Sequence, residues 1–67
     1  QAQVRVEVFD GLGRKVRVLI DDLQNAGDHQ ATWDGRDQQG EGLGSGIYLF
    51  RIQADVLSAS GKLLLLR

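Results

Sequence analysis

Residues 31–50 constrain the fold of this chain more than any other stretch. They hold the only Trp, the only Tyr, one of the two Phe and five of the nine Gly. Polar and apolar residues alternate up to Trp33, which predicts a strand with one buried face. A polar, glycine-rich loop follows at 34–45, and residues 46–50 then open a strand rich in aromatic and β-branched side chains. The stretch predicts two strands joined by a long loop, with Trp33 and Tyr48 as packing residues of a small β core.

The size and composition of the chain exclude several classes of protein. Its 67 residues predict a single domain, 1–67, of which about 60% of the unfolded surface can be buried. There is no Cys, so neither a disulfide nor a thiolate metal site can stabilise it. A net charge of −1 without a basic patch argues against nucleic-acid binding. The sequence has no Met and no signal-like segment, so it is expected to be a processed form or a fragment.

The first part of the chain predicts a hairpin. Residues 3–10 and 15–20 both alternate between apolar and polar side chains, and the connection between them carries two glycines. In the second strand, three β-branched residues are expected to share one face: Val16, Val18 and Ile20.

Three further strands are predicted, with polar connections between them. Residues 21–28 form a connection with a possible helical turn at 21–24, and 27–33 is a strand with His29 and Ala31 on the face of Trp33. The next strand starts at 46, and the last runs over 57–66 after a tight connection, with Gly61 as a candidate bulge. Short strands at regular spacing, without a long helical period, predict an all-β sandwich.

Three candidate sites of chemistry find little support in the sequence. His29 is the only His, and a metal site or a catalytic triad needs more convergent groups than one imidazole. Asp34, Asp37 and Glu41 suggest a weak Ca²⁺ site, but their spacing does not match a calcium loop, and such residues more often bind their own backbone in turns. The glycines of residues 40–46 match no phosphate-binding or nucleophile motif. The sequence therefore predicts neither an enzyme nor a cofactor.

Three stretches, in order, resemble one family. Residues 8–16, VFDGLGRKV, resemble a first hairpin of the form V-Y-D-x-x-G-R-x-V, and residues 58–67, SASGKLLLLR, resemble its closing strand. Between them, residues 27–48 resemble the central signature G-x-x-x-x-x-W-D-G-x-D-x-x-G…S-G-x-Y. The family is the immunoglobulin-like module shared by the flagellar hook-capping protein and the C-terminal sorting domains of the type IX (Por) secretion system.

The resemblance implies an immunoglobulin-like β-sandwich without catalysis, placed outside the cytoplasm at the cell surface, beside the outer membrane. Because the chain stops directly after a leucine run, the favoured interpretation is a sorting and attachment module that the export machinery recognises. The alternative is a protein–protein assembly module, like the hook cap or a surface-fibre subunit. The residues assigned to recognition are Lys62, Leu63, Leu64, Leu65, Leu66 and Arg67, and those assigned to the fold signature are Trp33, Asp34, Gly35, Gly46 and Tyr48.

Two departures from the family pattern carry an expectation. The sequence has no Pro and starts at the hairpin, so the N-terminal strand of the sandwich is expected to be missing, and Gly42 stands where the family has Pro. Leu64 and Leu66 make the last strand apolar on both faces, and such a strand is usually covered. The cover is expected to come from an N-terminal extension, a preceding domain or a strand of a neighbouring copy. Alternatively, the two leucines lie on a short exposed strand end.

Overall fold

The structure is a computed structural model that describes residues 2–24 and 32–67. Segments in which apolar and polar side chains alternate form four antiparallel strands. Within these residues the strands form one sheet in the order β2-β1-β3-β4, so β1 and β3 are central and β2 and β4 are the edges. The predicted all-β class is confirmed. The strands are β1 (Ala2–Phe9), β2 (Lys15–Gln24), β3 (Gly46–Ala54) and β4 (Leu57–Leu65).

One face of the sheet is apolar. Residues directly opposite each other on neighbouring strands share a face, and Val6 stands opposite Ile52, which stands opposite Ala59. The two most central side chains, Val6 and Val8, are buried. We call this the apolar face, and its members from the three strands β1, β3 and β4 are Val4, Val6, Val8, Tyr48, Phe50, Ile52, Ala54, Leu57, Ala59, Leu63 and Leu65.

The first hairpin is shaped by Asp10 and Gly13. The Asp10 carboxylate accepts hydrogen bonds from the amides of Leu12 and Arg14 and from Arg14 Nε, each at 2.9 Å. These bonds hold the pKa of Asp10 below its usual range, and the bond from the Arg14 amide contributes most. Gly13 has φ +86°, a conformation that favours glycine. The D-x-x-G-R spacing of the sequence therefore supplies the three residues that form this turn.

Strand β2 differs from its prediction in the faces of its residues. Its pairing with β1 shifts register between Val6 and Glu7 and again between Val8 and Phe9. As a result Ile20 stands opposite Val6 while Val18 stands opposite Glu7, on the other face. The prediction that Val16, Val18 and Ile20 share one face is wrong, because extra residues in a strand reverse its alternation.

The predicted helical turn at 21–24 is also wrong, because β2 continues through Gln24. Asp21 stands opposite Arg5, and its carboxylate lies 3.5 Å from Arg5 Nη1 and accepts a hydrogen bond from Gln3 Nε2 at 3.0 Å. These cross-strand partners stabilise an acidic segment in an extended conformation.

Gly61 does not mark a bulge. The register between β3 and β4 runs without a shift from Gly46 opposite Leu65 to Ala54 opposite Leu57. The ring of Phe50 lies over Gly61, where a Cβ atom would stand 2.8 Å from the ring carbons. The glycine therefore leaves space for the aromatic side chain of the neighbouring strand.

The predicted strand over 27–33 lies mostly outside the described residues, and so do His29 and Ala31. Its described end, Thr32 and Trp33, is not in a strand. Residues 34–45 form the predicted loop, which is tied to itself by a bridge between Arg36 and Gly42. The loop packs against one end of the apolar face.

Candidate interaction surface

The long loop is held at both ends by an aromatic pair. The rings of Trp33 and Tyr48 meet edge to face, with centroids 5.1 Å apart and planes at 67°. Trp33 Nε1 donates a hydrogen bond to the carbonyl of Arg36 at 2.9 Å, and the Tyr48 hydroxyl donates to the carbonyl of Gly44 at 2.7 Å. Each aromatic residue thus packs with its ring and orders the loop with its polar atom.

The acidic residues of the loop bind backbone amides. Asp37 Oδ1 accepts from the amides of Gln39 and Glu41 at 3.0 and 2.9 Å, and Asp34 Oδ1 accepts from the amide of Arg36 at 3.0 Å. In the described part of the chain, no three His, Cys, Asp or Glu side chains are grouped as a metal site requires. The carboxylates of Asp34 and Asp37 thus have the ordinary role of such residues in turns, whereas Glu41 takes part through its backbone.

Arg67 closes the loop onto the sheet. Its Nη2 atom donates to the carbonyl of Gly35 at 2.6 Å and its Nε atom to the carbonyl of Leu43 at 2.8 Å. Its backbone amide donates to Ser45 Oγ at 2.9 Å. The two bonds from the guanidinium group are charge-assisted, and such bonds are stronger than neutral ones. The sequence predicts that Arg67 acts in recognition. Its contacts show a structural role as well, which is to hold the loop against the sheet.

Gly35 is the position where the loop tolerates least change. It is buried, with φ +76°, and a Cβ atom would stand 2.7 Å from Arg67 Nη2 and 3.0 Å from Leu65 Cδ1. We expect Gly35→Ala to lower the free energy of unfolding by about 2 kcal/mol, because backbone strain adds to crowding. Urea denaturation measures the loss.

The matched control for this prediction is Gly40→Ala. Gly40 has φ +85° but nothing within 4 Å of the added Cβ, so it carries the strain without the crowding. The control should lose less stability than Gly35→Ala. Equal losses would mean that the contact with Arg67 and Leu65 does not matter.

Away from the loop, the apolar face is open. A hollow of about 270 Å³ is lined by Val6, Val8, Leu19, Trp33, Phe50, Ile52 and Leu63. A second hollow, of about 240 Å³, is lined by Ile52, Ala54, Leu57, Ser58 and Ala59. Ile52 lines both hollows, and we call the two together the open apolar groove. Leu57 in its floor is 72% exposed.

Two acidic residues lie near one end of the open apolar groove. Asp22 stands opposite Val4 on the apolar face, and Val4 separates it from Ala54. Asp55 follows Ala54 in the turn between β3 and β4, and its amide donates to the carbonyl of Gln3 at 3.4 Å. An apolar surface bordered by carboxylates favours a partner that presents apolar side chains beside basic ones.

The opposite face of the sheet carries an ion cluster around Glu7. This buried carboxylate lies 2.7 Å from Arg51 Nη2, 3.1 Å from Lys15 Nζ and 3.2 Å from Arg5 Nε. Its pKa is lowered to about 2, mainly by the hydrogen bond from Arg51 and against the effect of burial. A group whose pKa is so far from neutral is poorly suited to acid–base catalysis. Arg51 also lies over the Phe9 ring, 5.5 Å from its centroid, so the cluster is structural.

The residues assigned to recognition do not form one surface. Leu63 and Leu65 stand opposite Tyr48 and Gly46 on the apolar face, whereas Leu64 stands opposite Ile47 on the other. Leu64 and Leu66 are 62% and 77% exposed. The closing strand is therefore divided between the two faces of the sheet, as the alternation of any strand requires.

The described residues define an all-β module with an open apolar groove on its sheet. Residues 1–58 match the family model of the FlgD Ig-like domain, and the chain belongs to that family. Searches of curated proteins and of solved structures returned no match. The family match supports the hook-cap part of the resemblance, confirms the immunoglobulin-like class, and gives no support to the sorting-domain part. No helix in residues 2–24 and 32–67 has the length and apolar character to cross a bilayer.

Proposed function

We propose that this chain is a non-catalytic protein–protein assembly module of the flagellar hook-cap type, acting outside the cytoplasm. The observation that carries the proposal is the open apolar groove, which leaves Ile52 and Leu57 exposed on a sheet whose other end is closed by the loop. Contiguous exposed apolar surface bordered by polar residues is typical of interaction sites. Membership of the FlgD Ig-like domain family supports an assembly role.

The partner is a protein element with apolar side chains flanked by Lys or Arg. The groove is open along its length and is lined almost entirely by apolar side chains. A small-molecule site usually encloses its ligand and adds a few convergent polar groups. Asp22 and Asp55 near one end of the groove supply the charge that a basic flank would meet.

Trp33 allows a direct test, since it is the only Trp and lines the groove. A peptide of alternating Leu and Lys is titrated against the chain, with a Leu and Glu peptide as the charge control. We expect the Lys peptide to shift the Trp33 emission and the Glu peptide to leave it unchanged. Leu57→Ser should weaken binding about tenfold, the loss expected for one buried leucine side chain.

The control variant is Leu12→Ser. Leu12 is 81% exposed in the first hairpin turn and lines neither hollow of the groove. It should bind the Lys peptide as the unmodified chain does. Equal binding of both peptides, or no effect of Leu57→Ser, would contradict the groove as the interaction surface.

A second candidate function is the sorting and attachment module of a type IX cargo. The observation in its favour is the exposure of Leu64 and Leu66 at the end of the closing strand. The test is to fuse residues 1–67 to a reporter in a cell that has the type IX machinery. The assembly proposal expects the reporter to stay in the periplasm, and display at the surface would favour sorting.

A further inference from the structure

The two edges of the sheet are protected differently. At the β2 edge, the amide of Val18 donates to Gln38 Oε1 and the amide of Gln38 donates to the carbonyl of Val16, both at 2.9 Å. Gln38 thus occupies the hydrogen-bonding positions that an added strand would need. Natural sheets cover their edges in such ways because an open edge pairs with other chains.

The β4 edge has no such device in the described residues. Its pairing with β3 is unbroken, the sequence offers no Pro, and the backbone hydrogen bonds made by loops and turns involve none of its residues. Lys62 is the single charged side chain of the strand. A long, regular edge with so little charge is a template for strand addition.

The turn between β3 and β4 fixes which backbone groups of β4 are free. Residues 55–56 form a two-residue connection, so Ala54 and Leu57 are a hydrogen-bonded pair and every second pair after them is too. The bond from the Asp55 amide to the Gln3 carbonyl on β1 agrees with this alternation. The outward N–H and C=O groups of β4 therefore belong to Ser58, Ser60, Lys62 and Leu64.

We propose that β4 pairs antiparallel with β4 of a second copy of this chain, in a register centred on Gly61. The outward backbone groups of the two copies can form hydrogen bonds only if the residues that carry them in one copy stand opposite the residues that carry them in the other. Centring on Gly61 pairs the whole strand, and the pairs on the apolar face are Leu57 with Leu65 and Ala59 with Leu63. On the other face they are Ser58 with Leu64 and Ser60 with Lys62.

Neighbouring registers are worse. Centring on Lys62 places two like charges directly opposite, which is unfavourable, and centring on Ser60 leaves the end of the leucine run unpaired. In the favoured register Leu57, which is 72% exposed, gains an apolar neighbour in each copy. The interface is isologous, and the apolar faces of the two copies lie on the same side of the joined sheet. The proposal depends on the backbone edge of β4, so it stands or falls separately from the groove.

Sedimentation equilibrium of the 67-residue chain over a wide concentration range tests the proposal. We expect a monomer–dimer equilibrium. Ser60→Pro removes an outward N–H without removing a bond to β3, so the fold should survive while the Kd of the dimer rises about tenfold or more. Ala59→Pro, one residue away, removes an inward bond to β3 and should unfold the chain, which checks the assignment of inward and outward backbone groups along β4.

A charge pair tests the register without proline. In the proposed register residue 60 of each copy stands opposite Lys62 of the other copy, so the dimer contains this pair twice. Ser60→Lys should therefore raise the Kd of the dimer severalfold, and Ser60→Glu should lower it severalfold. Circular dichroism confirms that each variant is folded. A chain that stays monomeric at every concentration, an assembly that grows beyond the dimer, or a dimer indifferent to Ser60→Pro and to both charges would overturn the proposal.

Discussion

Trp33→Ala is expected to lower the free energy of unfolding by about 3–5 kcal/mol, enough to unfold a domain this small. The substitution removes a side chain that lines the groove, the edge-to-face contact with Tyr48, and the hydrogen bond to the Arg36 carbonyl. The start of the loop then loses its attachment to the sheet. Urea denaturation followed by far-ultraviolet circular dichroism measures the loss, since the variant has no Trp fluorescence.

The control for Trp33→Ala is Tyr48→Phe. This variant keeps the aromatic ring that Trp33 contacts and loses only the hydrogen bond from the hydroxyl to the Gly44 carbonyl. It should cost about 1 kcal/mol. If Trp33→Ala melts at the same urea concentration as the unmodified chain, Trp33 is not part of the core.

Acid should destabilise the chain through Glu7. The pKa of Glu7 is about 2 in the folded chain and 4.5 ordinarily, so the folded state binds fewer protons than the unfolded state between these values. The stability that Glu7 contributes is therefore complete above pH 4.5 and is lost as the pH falls toward 2. We expect a loss of about 2 kcal/mol, less than the full pKa difference gives, because the three cations are partly exposed to solvent.

Glu7→Gln separates this effect from other acid effects. The variant should lose about 2 kcal/mol at neutral pH, because it leaves three cations without their carboxylate, and its stability should fall less steeply in acid. Glu41→Gln is the control, since Glu41 is exposed and contacts the loop through its backbone. An acid profile that Glu7→Gln leaves unchanged would show that another group controls it.

Most of the sheet was predictable because its residues alternate. The hairpin, the start of β3 at Gly46 and the closing strand follow from period-two patterns and glycine turns. The register shifts in β2 could not be predicted, because they depend on how a strand fits its neighbour rather than on its own residues. Asp21 and Asp22 indicated a connection, yet Arg5 and Gln3 across the sheet hold this segment extended.

The aromatic anchors of the candidate site were predictable, and its supporting contacts were not. Trp33 and Tyr48 stand out by size and rarity in the sequence. Arg67 reaches Gly35 across 32 positions and Gln38 reaches Val18 across 20, and no local pattern reports such contacts. The preference for sorting over assembly relied on the residues after 58, which the family match does not include.

The strand order also determines how the chain must assemble itself. The pairs β1 with β2 and β3 with β4 are neighbours in sequence, so each hairpin can close early at little entropic cost. The seam between β1 and β3 joins residues as far apart as Val4 and Ala54, and such distant contacts slow folding. The bond from Arg51 to Glu7 crosses that seam over 44 positions. The charge cluster therefore joins the two hairpins, and the rate of their docking is expected to limit the folding of the whole sheet.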